Sequence, residues 1–169
     1  ETAHTELVSS WLAQIGLRLS DLECGTSPPF TEAVRLQLAH AHQTPNPLHH
    51  CCSGKHAGML SVCVHRGWST AGYTQYDHPL QAQIREHMRQ IFVCDPEELA
   101  YAIDGCSVPT YAMPLTTLAK GFARLTSDDL DGALGDAAQR LFKAQTAHPF
   151  MVAGTDRLDT ALLEAGQGR

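Results

Sequence analysis

The sequence lacks the features that mark a membrane protein or a nucleic-acid-binding protein. No apolar run approaches the roughly 20 residues that a bilayer-spanning helix needs, and no basic-then-apolar signal segment opens the chain. Lys and Arg number 12 against 18 Asp and Glu, which gives a formal net charge of −6. Because no basic stripe or patch is present, we predict neither a nucleic acid nor a membrane surface as a partner.

Compact disulfide spacing is also missing. The six cysteines follow no framework of the kind that small secreted domains use, and two of them, Cys51 and Cys52, are adjacent. This usage favours reduced thiols and therefore a cytoplasmic protein. Cys63 and Cys94 fall among apolar residues, so we interpret both as small buried hydrophobes.

Strand signals are scarce, whereas helical periodicity recurs along much of the chain. Apolar residues at helical spacing predict amphipathic helices around residues 7–15, 34–41, 80–91, 130–145 and 158–163, with a further helix after Ser53. The one convincing strand signal is the apolar run 99–103, which the turn-like pair Asp104-Gly105 ends. At 169 residues, a single domain over 1–169 with a real core is the expected organisation.

A helix-rich chain with one or two short strands is either an all-α unit or the helical part of an α/β protein. The two ends favour the second interpretation, because Glu1 leads almost directly into a helix and 166–169 form a turn-like tail with no closing element. We therefore expect the α/β class, represented here by a helix-rich fragment.

The densest chemistry lies in residues 52–59, Cys-Ser-Gly-Lys-His-Ala-Gly-Met. The proline-containing run 43–47 before this block does not favour a helix, so Cys52 is predicted at a helix start. Unpaired backbone N–H groups and the helix dipole favour a thiolate there. Lys55, three residues further on, shares its face of the first turn.

Three interpretations of this pair are open from the residues alone. Cys52 could be a nucleophile with His50 or His56 as its base. It could instead bind zinc together with Cys106 and one nitrogen, and lysine is the less favoured nitrogen because it must first lose its proton. The third interpretation is an ordinary helix start with an exposed lysine and a half-buried cysteine.

The loop 104–110, Asp-Gly-Cys-Ser-Val-Pro-Thr, follows the predicted strand, and functional residues often occupy loops at strand ends. Asp104 could hold a lysine or a substrate amine, and Cys106 could bind a metal; the alternative is an ordinary Asp-Gly turn. The other histidines have no ligand-like spacing and are interpreted as surface or satisfied core residues: His40, His42, His65, His78, His87 and His148.

Five blocks, taken in order, resemble the rhizobial-type L-asparaginases, or asparaginase II family. They are Cys24-Gly25 with Pro28; Pro47-Leu48-His49 before 52–59; Gly72-Tyr73 with Asp77-His78-Pro79; Ile103-Asp104-Gly105-Cys106 with Pro109-Thr110; and His148-Pro149 with Val152-Ala153-Gly154 and Arg157. The likeness covers essentially the whole chain, and the Cys-Ser-Gly-Lys-His and Asp-Gly-Cys blocks together are specific.

The resemblance implies an amidohydrolase that converts the small molecule L-asparagine to aspartate and ammonia. It further implies a homodimer and a fold similar to serine β-lactamases and penicillin-binding proteins, with most of the sheet outside this chain. A zinc ion would be held by Cys52, Lys55 and Cys106, which requires a neutral lysine. Asp104, His56 and Lys55 match residues implied to contact substrate, and zinc would orient the substrate rather than generate hydroxide.

The resemblance also implies that the nucleophile lies outside residues 1–169. In the family it belongs to a Ser-x-x-Lys pair upstream, and a second serine precedes a Glu and a His that resemble Glu1 and His4; neither serine is present here. Two positions depart from the family pattern. Ser27 replaces a histidine, and Cys51 replaces an asparagine, so that a thiol at 51 could compete as a ligand or oxidise with Cys52.

The leading hypothesis is therefore the central portion of a zinc-binding L-asparaginase. One alternative is a non-catalytic helical zinc-binding module, which would close its zinc with four protein ligands. The other is an amidase that uses Cys52 as its nucleophile, which rapid alkylation of that thiol would reveal.

Overall fold

The computed structural model describes residues 1–127 and 129–166, and this part of the chain is rich in helix. Its helices are α1 (Thr2–Gln14), α2 (Glu32–His40), α3 (Ser53–Arg66), α4 (Pro79–Phe92), α5 (Leu115–Thr126), α6 (Gly132–Ala147), α7 (Pro149–Ala153) and α8 (Leu158–Gly166). Short 3-10 turns cover Leu19–Asp21, Pro47–His49 and Pro96–Glu98. Two strands, β1 (Tyr101–Ile103) and β2 (Pro109–Tyr111), form one antiparallel pair.

The helices expected from periodicity are present as α1, α2, α3, α4, α6 and α8, and the strand signal is confirmed as β1. The sequence analysis does not predict α5, in which three threonines and a glycine lower the helix propensity although its apolar residues recur at helical spacing, or α7, which is only five residues long. The combination of many helices with one two-stranded sheet is consistent with an α/β fragment. The likeness to serine β-lactamases stays a prediction. Gly166 of the expected tail ends α8, and 167–169 lie outside the described residues.

The chain packs as two compact units. The first comprises Glu1–Glu86 and Ala100–Ala112, and the second comprises His87–Leu99 and the chain from Met113 onward. The single domain expected over 1–169 stays a prediction. No helix in the described ranges is both long and apolar enough to cross a bilayer.

The core of the first unit forms where α1 packs on α3. Leu12, Leu60 and Cys63 are almost fully buried there, and each buried leucine contributes roughly 1.5–3 kcal/mol of hydrophobic stabilisation. Helix α3 ends at Gly67, whose φ of 67° is left-handed, and the N–H of Trp68 then donates to the carbonyl of Cys63 at 2.9 Å. This closure is typical of a Schellman end. The core thus fixes the position of α3.

The hairpin β1–β2 belongs to the same unit and carries a tight loop at its tip. The N–H of Asp104 donates to the carbonyl of Val108 at 2.8 Å, and Ser107 has a left-handed φ of 73°. The side chain of Cys106, within this loop, is 1% exposed. In contrast, β1 is exposed along its length. The loop therefore holds a buried sulfur at the end of an exposed strand.

The second unit contains α5, α6, α7 and α8. The guanidinium of Arg124 on α5 donates to the carbonyls of Gln90 and Ile91, both at 2.6 Å, at the C-terminal end of α4. A cation is favourable at that end because the last helical carbonyls lack partners within the helix. The hydroxyl of Thr160 on α8 donates to the carbonyl of Gly154 at 2.7 Å.

Candidate metal and substrate site

The first turn of α3 and the tip of the hairpin bring a set of sulfur, nitrogen and oxygen atoms together. Lys55 Nζ donates to Cys106 Sγ at 3.2 Å, although the two residues are 51 positions apart. The sulfurs of Cys52 and Cys106 and a carboxylate oxygen of Asp104 all lie within 4.8 Å of one another. The structure therefore places four of the sequence-predicted site residues in one cluster.

Local hydrogen bonds position Cys52 at the start of α3. Cys52 is the residue immediately before the helix, and its carbonyl accepts the N–H of His56 at 3.0 Å. Its own N–H donates to His50 Nδ1 at 3.0 Å. Further upstream, the side chain of Asn46 accepts the N–H of Leu48 and begins the Pro47–His49 turn. The turn and the cap together determine where the Cys52 sulfur lies.

The hairpin loop positions Cys106 and Asp104 through its own hydrogen bonds. Asp104 Oδ1 accepts the N–H of Gly105 at 2.8 Å, and Cys106 Sγ donates to Asp104 Oδ2 at 3.5 Å. The N–H of Ser107 donates to the Asp104 carbonyl at 2.9 Å. An Asp-Gly turn is thus present, and it orients a carboxylate toward a buried thiol.

The electrostatics of the cluster favour neutral thiols beside a charged lysine. Burial raises the pKa of Cys52 and of Cys106, although Lys55 opposes both shifts. Partial burial disfavours the charged amine of Lys55, but its hydrogen bond to Cys106 outweighs this effect, so the pKa of Lys55 is raised. The Gly105 N–H and then the Cys106 thiol lower the pKa of Asp104, so this carboxylate is ionised at neutral pH.

His56 lies in the core behind this cluster. Its side chain is 0% exposed, and its Nδ1 lies 2.6 Å from the hydroxyl oxygen of Tyr73. That oxygen also accepts the N–H of Glu23 at 2.9 Å. The phenol proton can then point only at His56 Nδ1 among these partners, and we assign the bond in that direction, with the ring proton on Nε2. Burial, followed by the charge of Lys55, lowers the pKa of His56 to about 4, so the ring is neutral at neutral pH.

The Nε2 of His56 is buried and has no hydrogen-bond partner among the described residues. A buried donor without a partner carries a desolvation cost of about 1–3 kcal/mol. Such atoms are uncommon, and they often belong to sites that take a ligand or water. His56 thus keeps one free hydrogen-bonding atom within the described part of the chain.

The Glu23 carboxylate fixes the segment that carries Tyr73. Its Oε1 accepts the N–H of Gly72 at 2.6 Å, and its Oε2 accepts the hydroxyl of Thr74 at 2.7 Å. These bonds hold the residues immediately before and after Tyr73. Glu23 belongs to none of the motifs identified in the sequence, so its role is not predicted there. Its position directly before Cys24 is the one sequence feature that points to it.

Comparison with known protein families identifies the chain. The family model of L-asparaginase II matches residues 1–169. The chain belongs to the L-asparaginase II family. None of the curated proteins matches it significantly. Membership confirms the resemblance found in the sequence blocks and supports an asparaginase-type hydrolase function with L-asparagine as the small-molecule substrate.

This member of the L-asparaginase II family has a second group of metal-ligating atoms beside the first. His50, Cys51 and Cys52 each offer one atom within 4.8 Å of the other two. The Cys51 and Cys52 sulfurs are 3.8 Å apart, and Cys51 Sγ is also 3.8 Å from His50 Nδ1. Cys52 is therefore common to both groups.

The remaining cysteines differ in their surroundings. Cys63 is fully buried, as predicted, whereas the prediction of burial is wrong for Cys94, which is partly exposed. Cys94 follows Val93, which is itself 76% exposed, so the apolar neighbours at this point do not form a core. Cys24 is fully buried near the cluster; its thiol donates to the carbonyl of Pro47 at 3.7 Å, and burial raises its pKa to about 11.

The histidines interpreted as surface or satisfied residues match that description. Five of them are exposed: His40, His42, His65, His87 and His148. The sixth, His78, accepts the N–H of Leu80 through Nδ1 at 3.1 Å and so caps the start of α4.

Proposed function

We propose that this chain is the metal-holding and substrate-positioning portion of a zinc-binding L-asparaginase, which hydrolyses L-asparagine to aspartate and ammonia. The observation that carries the proposal is the approach of Lys55 Nζ to Cys106 Sγ at 3.2 Å, beside Cys52 and Asp104. Residues from two distant blocks of the family pattern therefore meet at one place in the fold.

The donor set suits zinc. Two thiolates and one nitrogen, with one position left open, are typical of zinc sites that work on a substrate. Lys55 is supported as the nitrogen ligand because its Nζ lies 3.2 Å from Cys106 Sγ, whereas the group of ligating atoms that contains Cys106 includes no histidine of the described residues. Binding would require both thiols and the amine to lose protons, which a divalent cation can enforce.

The chain's own residues would bind and orient the substrate. Asp104 is exposed and ionised, so its carboxylate suits the ammonium group of an amino acid. His56, whose buried Nε2 has no partner among the described residues, is the second residue that the resemblance assigns to substrate binding. A bound zinc would supply Lewis acidity that holds the substrate in place. The sequence contains no Ser-x-x-Lys pair, so we assign the nucleophile to no residue of 1–169. We further propose that the protein is a homodimer and that it is located in the cytoplasm.

Metal analysis of defined variants tests the zinc site. We expect one zinc per chain in the unaltered protein, and loss of that zinc in Cys52→Ser, Lys55→Met and Cys106→Ser. Cys94→Ser is the matched control, since Cys94 lies outside both groups of ligating atoms, and it should keep the metal. Full zinc content in Cys106→Ser would refute the proposed ligand set.

Ammonia release provides the second test. The 169-residue chain by itself should bind zinc but release no ammonia from L-asparagine, because the serine pairs that the resemblance implies are not among its residues. Robust turnover by this chain would show that the nucleophile has been misplaced. Sedimentation of the same preparation tests the homodimer.

A non-catalytic zinc-binding module is favoured by one observation, namely that an Asp104 oxygen lies close enough to Cys52 and Cys106 to act as a fourth ligand. A closed set of four ligands is typical of structural zinc. Asp104→Asn separates the two functions. If Asp104 holds substrate, the variant keeps its zinc affinity and loses asparagine binding, whereas a structural fourth ligand predicts weakened zinc binding.

A further inference from the structure

Cys51 takes no part in the function proposed above, yet its sulfur lies beside that of a proposed zinc ligand. The two sulfurs are 3.8 Å apart. Cys51 is exposed and Cys52 is partly exposed, so a reagent in solution can reach the pair. The N–H of Cys52 donates to His50 Nδ1 at 3.0 Å, and this bond holds the turn on which both side chains lie. Two accessible thiols are thus kept at a defined separation.

The separation suits an atom that bridges the sulfurs better than it suits a direct disulfide. Consecutive Cα atoms are about 3.8 Å apart, which is below the minimum of about 4.4 Å usual for disulfide-bonded cysteines. A centre that makes two bonds of about 2.3 Å to sulfur, at angles of about 95–110°, holds the sulfurs roughly 3.4–3.8 Å apart, and this range covers pyramidal trivalent centres as well as tetrahedral ones. The pair is therefore arranged for chelation of a soft centre, because thiolate ligands favour soft ions.

We propose that Cys51 and Cys52 form a dithiol site that captures a thiophilic centre able to make two bonds to sulfur, of which trivalent arsenicals are the chemical class. Capture occupies Cys52 and thereby prevents it from acting together with Cys106. The capture itself does not depend on the proposed function. The competition with zinc rests on it, since Cys52 is then the shared ligand.

The reaction needs no oxidant or reductant. With phenylarsine oxide as the probe, two S–H bonds and the arsenic–oxygen bond break, two arsenic–sulfur bonds form, and the two protons leave with the oxygen as one water molecule. Arsenic stays trivalent, and both sulfurs keep their oxidation state. The product is a cyclic dithioarsenite that closes on the Cys51–Cys52 peptide.

The experiment titrates the full chain, reduced with a phosphine rather than a competing dithiol, with phenylarsine oxide and measures intact mass. We expect one phenylarsenic group per chain in the unaltered protein and in Cys106→Ser. In Cys51→Ser and Cys51→Asn, loss of the chelate should weaken capture about 100-fold, because the second thiol no longer acts at a high local concentration. Circular dichroism of each variant verifies that it is folded; Cys51 is exposed, so both substitutions at 51 should be tolerated.

The outcomes separate this inference from the proposed function. Capture retained in Cys51→Ser but lost in Cys106→Ser would overturn the inference, because the reagent would then bridge Cys52 and Cys106. Zinc binding that is retained in Cys51→Ser and lost in Cys106→Ser would support the proposed zinc site, irrespective of the result of the arsenical titration. Release of zinc during arsenical titration of the unaltered protein, and its absence in Cys51→Ser, would establish the competition.

Discussion

At the residue scale, Tyr73 connects parts of the chain that are far apart in sequence. Its hydroxyl accepts the N–H of Glu23, 50 positions away, and donates to His56 on α3. The side chain is fully buried, and burial raises the pKa of its hydroxyl well above the ordinary value. Tyr73 therefore stays protonated at neutral pH and remains a hydrogen-bond donor to the histidine.

Replacing Tyr73 by phenylalanine should destabilise the protein by about 1–3 kcal/mol, because the partly buried Glu23 N–H and the buried His56 Nδ1 would lose their partner. The free energy of unfolding in urea measures this change. Tyr101→Phe is the matched control, since Tyr101 is 51% exposed and should show little effect. Equal stability of the Tyr73→Phe variant and the unaltered protein would contradict the network.

The same hydrogen bond determines the tautomer of His56. We expect nitrogen-15 NMR to show the ring proton on Nε2 in the unaltered protein, since Nδ1 accepts from Tyr73. In Tyr73→Phe this preference should weaken, because nothing then favours an unprotonated Nδ1. A ring proton found on Nδ1 in the unaltered protein would reverse the direction assigned to the bond.

At the element scale, the contact between α4 and α5 in the second unit depends on a missing side chain. A Cβ at Gly121 would overlap the ring of Phe92 on α4. Phe92 and Phe122 also meet edge to face, with ring centroids 6.5 Å apart, and Arg124 caps the end of α4. Gly121 is buried within α5, at a position where alanine would stabilise the helix if there were space for its Cβ.

Gly121→Ala should therefore destabilise the protein. Overpacking against Phe92 costs about 1–3 kcal/mol, and the higher helix propensity of alanine offsets about 1 kcal/mol of that cost. Thermal and urea unfolding measure the net change. Gly54→Ala serves as the control, because no atom lies within 4 Å of a Cβ built there. It should leave stability unchanged or raise it. A stabilising Gly121→Ala would mean that Phe92 moves aside without cost.

At the scale of the whole molecule, the cluster joins two segments that the backbone alone does not connect. A cation held by Cys52, Lys55 and Cys106 would bind the folded chain and not the unfolded one, so it would add to the free energy of unfolding. The site would thereby tie the start of α3 to the hairpin tip. Removal of the metal should therefore weaken the contact between the start of α3 and the hairpin tip.

Zinc should raise the melting temperature of the unaltered chain, with a stabilisation of about 2.7 kcal/mol at a free concentration 100 times the dissociation constant. Chelation should reverse the rise. In Cys106→Ser the melting temperature should not respond to zinc, while Cys94→Ser should behave like the unaltered chain. An equal rise in Cys106→Ser would place the stabilising ion at another site.

Much of the local structure follows from sequence pattern. The stripe that begins with Leu7 and Val8 predicts α1, and the block 52–59 predicts the start of α3 with Cys52 at its cap. Strand β2 was not predicted, because Pro109–Tyr111 has no strand pattern of its own, although all three of its residues pair with the three residues of β1. Three residues are too few to show the alternating pattern that identifies a strand.

The sequence by itself determined the main helices, the family and the identity of the chemistry-bearing residues, because helical hydrogen bonds span only four positions and motifs are local patterns. Only the tertiary structure decided that Lys55 meets Cys106, that His56 is buried against Tyr73, and that Cys94 is not part of a core. These outcomes depend on which surfaces pack together. Packing is set by contacts between segments tens of residues apart.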